Sequence, residues 1–173
     1  ITINANTTVT AAAAPVGGTW TVPAGPTLTV AAGVTLRRTG QTANSGAVSG
    51  PGTLQVEGDV TGAGTFSLPV VFAGAGTRSL LSNITIAGSV TVAAGTTVVN
   101  QFTAARTLTV TGNFVNNGTL SDNSATFTIA LAGNLTNNGT WQNGVTDLAQ
   151  PGASIALNTG SVATTALNIN DDA

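Results

Sequence analysis

The chain contains no cysteine, histidine, methionine, tyrosine or lysine. Without Cys there is no disulfide, no thiolate nucleophile and no thiolate metal ligand. Without His or Lys, the commonest general bases, imidazole ligands and Schiff-base amines are missing too, so covalent catalysis has no ordinary set of partners. Charge is also scarce. Only 6% of the 173 residues are charged, against roughly 25% in an average globular protein. The cations are Arg37, Arg38, Arg78 and Arg106; the anions are Glu57, Asp59, Asp122, Asp147, Asp171 and Asp172. A net charge of −2 offers no basic footprint for nucleic acid or anionic lipid. No apolar run approaches the roughly 18 residues that a membrane-spanning helix needs. Neither nucleic acid nor membrane insertion is therefore expected, and no cofactor.

Hydrophobic residues make up 42% of the chain, too many for a disordered polymer. Gly, Ala, Thr, Val and Asn dominate, and they are arranged as a repeat. Thr107 to Asp122 (TLTVTGNFVNNGTLSD) matches Thr128 to Asn143 (TIALAGNLTNNGTWQN) when moved by about 21 residues. Leu108 falls on Ile129, Val110 on Leu131, Phe114 on Leu135 and Leu120 on Trp141, while Asn116-Asn117-Gly118-Thr119 falls on Asn137-Asn138-Gly139-Thr140. The inner unit, Gly-x-apolar followed by Gly-Thr-apolar, recurs at Gly46–Leu54 and Gly58–Phe66.

Segments such as Leu28-Thr29-Val30, Ile84-Thr85-Ile86 and Leu108-Thr109-Val110 alternate with period two, the pattern of a half-buried strand. Each is short and is bounded by Gly, Asn-Asn-Gly, Pro-Ala-Gly or Ala-Ala-Gly, which are expected to supply positive φ at corners, Gly118 and Gly139 among them. Asn-Gly also signals hairpins, but stacked coils account better for apolar positions that recur at fixed spacing. The expected fold is all-β: a single-domain parallel β-solenoid (β-helix) of roughly eight coils, about 21 residues per coil. Asn116 and Asn117 are expected to form a side-chain ladder with Asn137 and Asn138. Residues 1–15 read as an N-terminal strand and spacer, open to exchange with a neighbouring subunit, and 16–173 as the solenoid. Ile1-Thr2-Ile3-Asn4 begins inside a strand pattern without an initiator Met, as a processed mature chain or an excised fragment would.

The runs GNFVNNGTL, GNLTNNGTW and LTVAAGVTL resemble repeats of large bacterial surface β-helix proteins, the filamentous-haemagglutinin-like and autotransporter-type adhesins. The resemblance spans Trp20 to Asn143 and carries no catalytic motif. It implies secretion, a surface or matrix location, and a passive scaffold or adhesive role.

Other signals have simple structural readings beside their functional ones. Glu57 and Asp59 would share a face of an extended segment, as in a polysaccharide hydrolase, or face solvent. Asp171-Asp172 would help hold a cation at a coil end, or form a plain acidic terminus. Thr-x-Thr pairs suggest an ice-ordering ladder, but Thr109 would stack on Ala130 and break it. Trp20 and Trp141 could stack on sugars, yet Trp141 shares its motif position with Phe66 and Leu120, which points inward. The five Asn-x-Ser/Thr sequons, at Asn6, Asn83, Asn117, Asn134 and Asn138, are expected by chance in so Asn- and Thr-rich a chain.

No site for catalysis, cofactor or metal is expected. The sequence points to a non-enzymatic extracellular or cell-surface protein whose partner is itself, in a head-to-tail homopolymer. Ile1, Ile3 and Val9 at one end and Leu167 and Ile169 at the other are the candidate self-assembly residues. The alternative is an adhesin or glycan-binding module of a larger surface protein, with surface glycan as partner.

Overall fold

The computed structural model describes residues 1–12, 15, 17–100, 103–122, 126–148, 154–157 and 161–169. It is an all-β parallel solenoid of about 7 turns, set about 20 residues apart. Three faces repeat along it. The first carries Trp20–Val22, Thr42–Asn44 and Val60–Thr61, then Gly76–Ser79, Thr96–Asn100 and Thr119–Asp122. The second carries Thr7–Val9, Thr27–Val30, Ala47–Ser49, Thr65–Ser67, Ile84–Ile86, Arg106–Val110 and Phe127–Leu131. The third carries Thr35–Arg38, Thr53–Val56, Val70–Phe72, Val90–Val92, Phe114–Asn116, Leu135–Asn137 and Ile155–Leu157. Near the far end, Thr140–Leu148 runs through the corner between the first two faces and pairs with strands of both.

The period-two pattern becomes an inside and an outside. In Phe127–Leu131 the buried residues Phe127, Ile129 and Leu131 alternate with half-buried ones. Like then stacks on like. One column on the second face runs Leu28, Val48, Phe66, Ile86, Val110, Leu131, Leu148, all buried. Full burial of each aliphatic member contributes roughly 1.5–3 kcal/mol. The sequence self-match is realised residue for residue: Leu108 pairs with Ile129, Val110 with Leu131, Phe114 with Leu135 and Leu120 with Trp141, all parallel. The hairpin reading of Asn-Gly is thereby excluded for these segments.

The corners use two devices. Ala31-Ala32-Gly33 and Ala93-Ala94-Gly95 are turns closed by Val34 N–H to Ala31 O (3.1 Å) and Thr96 N–H to Ala93 O (3.1 Å), with Gly33 at φ 72° and Gly95 at φ 78°. The Asn-Asn-Gly corners differ from expectation: Gly118 and Gly139 are not among the glycines with positive φ. They are glycine because the coils approach too closely for a side chain. A Cβ on Gly118 would stand 2.3 Å from Thr96 O, and one on Gly139 would stand 2.0 Å from Gly118 O.

Asparagine completes these corners. The buried Asn116 Oδ1 accepts from Gly118 N–H (3.1 Å), while its Nδ2 donates to Asn137 Oδ1 (2.7 Å) and Thr140 O (2.9 Å). Outside, Asn138 Nδ2 donates to Asn117 Oδ1 (2.7 Å), so the expected ladder forms in two rails. Asn44 repeats the inner device earlier in the chain, accepting from Gly46 N–H and donating to Thr65 O, each at 3.2 Å.

Candidate functional site

Among the described residues no pocket opens, and no three His, Cys, Asp or Glu side chains lie together as metal ligands would. The carboxylates weighed in the sequence hold the coils to one another. Arg37 donates to Glu57 through Nε (2.5 Å) and Nη2 (2.9 Å), and Gln55 Nε2 donates to the same carboxylate at 2.5 Å. Asp59 Oδ1 accepts from the Ser79 backbone N–H at 2.8 Å, one coil on. Asp171 and Asp172 lie outside the described residues.

The Arg37 hydrogen bonds hold the Glu57 carboxyl below its ordinary range, against the opposing effect of its burial. A carboxylate with a depressed folded pKa stabilises above its unfolded value, near 4.3, and that contribution is lost as pH falls through the folded value. Chemical-denaturation midpoints should therefore fall as the pH drops below about 4, and Glu57→Gln should flatten part of that slope. Arg37 is half exposed, so solvent screens the pair and the change should be modest. An unchanged slope in Glu57→Gln would show that the pair contributes nothing.

Both tryptophans are buried. Trp141 is 1% exposed, meets Phe114 edge-on at 5.1 Å, and donates Nε1–H to Thr146 Oγ1 at 3.0 Å. Thr146 in turn donates to Asn143 Oδ1 at 3.0 Å. Trp141 is thus a core residue with its polar edge satisfied, and no sugar can stack on it. Trp20 lies under the guanidinium of Arg38, 5.3 Å from the ring centroid. The Thr ladder breaks where expected, with Thr107 beside Thr128 but Thr109 beside Ala130.

Sequence reasoning missed Arg38, which is 1% exposed. Its Nη2 donates to Gly18 O at 3.2 Å, its Nε has no hydrogen-bond partner, and burial lowers its pKa. The signal was present in the sequence, because Arg38 shares the parity of the inward Leu36. Sequon asparagines proved to be structural as well. Asn6, Asn83 and Asn134 each accept a backbone N–H one coil on, from Thr27 (2.9 Å), Thr107 (3.0 Å) and Ser154 (2.9 Å).

The two ends hold the candidate assembly residues. Ile1-Thr2-Ile3 lies on the first face: Thr21 N–H donates to Ile1 O (2.8 Å), and Ile3 N–H donates to Thr21 O (2.9 Å). Thr7–Val9 pairs in parallel with Thr27–Val30 and, among the described residues, with nothing on its other edge. Ile1 is 64% exposed, the one large hydrophobic residue so exposed among those described. Ile3 and Val9 cover the core only in part. At the opposite end Ser161–Ile169 pairs with Thr140–Leu148, placing Leu167 beside Thr146 and Ile169 beside Leu148. Within one chain the two groups stand at opposite ends of the stacked strands, about 38 Å apart at roughly 4.8 Å per strand spacing. No protein-family model matches the chain, and neither a curated protein nor a solved structure is significantly similar to it.

Proposed function

We propose that the chain is a non-catalytic extracellular structural protein, a β-solenoid subunit that assembles end to end into a filament or a surface or matrix scaffold. The observation that carries this reading is the first coil. Among the described residues its strand Thr7–Val9 is paired along one edge only, and Ile3 and Val9 pack against the core in part while Ile1 is largely exposed. An edge of unpaired N–H and C=O groups beside an apolar core is a template for another strand, and soluble solenoids ordinarily cover it with polar caps. No charged side chain stands in residues 1–10 to oppose a second copy. The resemblance to bacterial surface repeats supports the extracellular setting.

The test is sedimentation and negative-stain microscopy of the 173-residue chain. Filaments should form, and deleting residues 1–10 should abolish them while leaving the β circular-dichroism signal largely intact. A chain that stays monomeric at high concentration would overturn this reading. Short monodisperse rods that also bind a glycan array would put an adhesin module in its place.

A further inference from the structure

We infer that Asp59 and Arg78 close an internal strand edge of the solenoid, so that the corner between its third and first faces admits no strand from a second copy of this chain. The edge arises where the stack widens. Phe72 lies in register with Val56, and Leu80 with Val60. The run from Phe72 to Leu80 is four residues longer than the run from Val56 to Val60 beneath it. The extra length forms Gly76–Ser79, which pairs with Thr96–Asn100 of the next coil and stands last in its sheet among the described residues. In place of a strand, the shorter coil beneath offers the corner Glu57-Gly58-Asp59.

An edge strand in the middle of a stack is a template for another strand. Alternation along the ladder identifies the groups at risk. Gly76 N–H donates to Gly95 O (3.1 Å) and Leu80 N–H to Val99 O (3.0 Å), so residues 76, 78 and 80 bond to the next coil. Thr77 and Ser79 turn their backbone groups to the open side. Two charged side chains meet them there: Ser79 N–H donates to Asp59 Oδ1 at 2.8 Å, and Thr77 O accepts from Arg78 Nη1 at 2.8 Å. At Leu81 ordinary pairing with the coil beneath resumes, its N–H donating to Val60 O at 2.8 Å. The Asp59 carboxylate thus stands where a longer lower coil would have placed a backbone carbonyl.

The corner holds both side chains in place. Arg78 is nearly buried, and it donates through Nε to Ala73 O (3.0 Å) and through Nη2 to Ala75 O (3.2 Å). A Cβ on Gly74 would stand 2.6 Å from Arg78 Nη2 and 3.3 Å from Glu57 Cγ, so this glycine leaves room for the guanidinium beside Glu57. Arg37, Glu57, Asp59 and Arg78 therefore gather at one step of a chain that has only four cations and six anions. An incoming strand would have to break these hydrogen bonds and bury the charges unpaired. The occupant excluded is the same edge of a second copy. Two Gly76–Ser79 strands set antiparallel about a two-fold axis would pair Thr77 of each with Ser79 of the other.

The test compares the parent with Asp59→Ala and Asp59→Asn, and its probe strand is a fluorescein-labelled peptide of residues 74–82. Hydrogen exchange read by mass spectrometry should show the Ser79 amide of Asp59→Ala exchanging about tenfold faster, for loss of one charge-assisted hydrogen bond. Fluorescence anisotropy should show the same variant binding the peptide about tenfold more tightly than the parent does. Asp59→Asn keeps Oδ1 as an acceptor and should match the parent in both measurements. All three chains carry the same ends, so end-to-end contact cancels from the comparison, and a parent that forms no filament leaves this inference standing. Should Asp59→Ala fail to fold, Asp59→Ser, whose side chain is too short to reach the Ser79 N–H, takes its place. Parental exchange at Ser79, peptide binding no tighter than the parent's, or capture of the peptide by Asp59→Asn as well would each overturn the inference.

Discussion

Trp141→Ala is expected to lower the unfolding free energy by about 3–5 kcal/mol, read as a drop in the urea midpoint followed by far-ultraviolet circular dichroism. The side chain is 1% exposed and fills the interior between the Leu120 strand and the last described coils. Its removal opens a cavity that stacked backbones cannot collapse to fill, because each strand is held in register by hydrogen bonds on both sides. It also removes the edge contact with Phe114 and the partner of Thr146 Oγ1. Trp141→Phe should recover most of the loss, since it restores an aromatic ring and sacrifices chiefly the Nε1–H bond. If Trp141→Ala unfolds at the parent midpoint, the residue is not part of the core and the sugar-stacking reading returns.

The second large effect is expected at Gly139. Replacing it with Ala should cost about 3 kcal/mol, and Val should cost more. The added Cβ would stand 2.0 Å from Gly118 O, a backbone atom of the coil beneath, so relief requires moving one coil off another. Gly33→Ala is the informative comparison. Gly33 has φ 72° with nothing within 4 Å of its would-be Cβ, so its substitution should cost only the left-handed backbone strain, about 1–2 kcal/mol. Urea midpoints should therefore order parent, Gly33→Ala, Gly139→Ala from most to least stable. The reverse order of the two variants would mean that backbone conformation, not coil-on-coil approach, makes position 139 glycine.

These two expectations mark how far the sequence alone reaches. Period-two alternation set which side of each short strand is apolar, and the self-match set which residues stack. Leu108 on Ile129 and Leu120 on Trp141 follow because a parallel solenoid can superpose only positions that recur. The two-railed asparagine ladder was legible for the same reason, since Asn116-Asn117 recurs as Asn137-Asn138.

What the tertiary structure alone decided concerns atoms brought together from different coils. Gly33 closes an Ala-Ala-Gly corner and Gly139 an Asn-Asn-Gly corner, and both sequences suggest a positive φ, yet Gly33 is glycine for its own φ and Gly139 for a carbonyl of the coil beneath, Gly118 O. The role of Glu57 was equally closed to the sequence: composition leaves a carboxylate free for chemistry, and only the stacking of its coil on that of Arg37 assigns it to an ion pair. Arg38 lies between these cases, since its parity pointed inward while its charge pointed out. Stacking decided in favour of burial, because Trp20 and Gly18 O from the preceding coil receive the guanidinium. Local pattern fixes the facing of a side chain because facing depends on the strand's own geometry. Its partners lie a full coil away, and only the folded stack determines which they are.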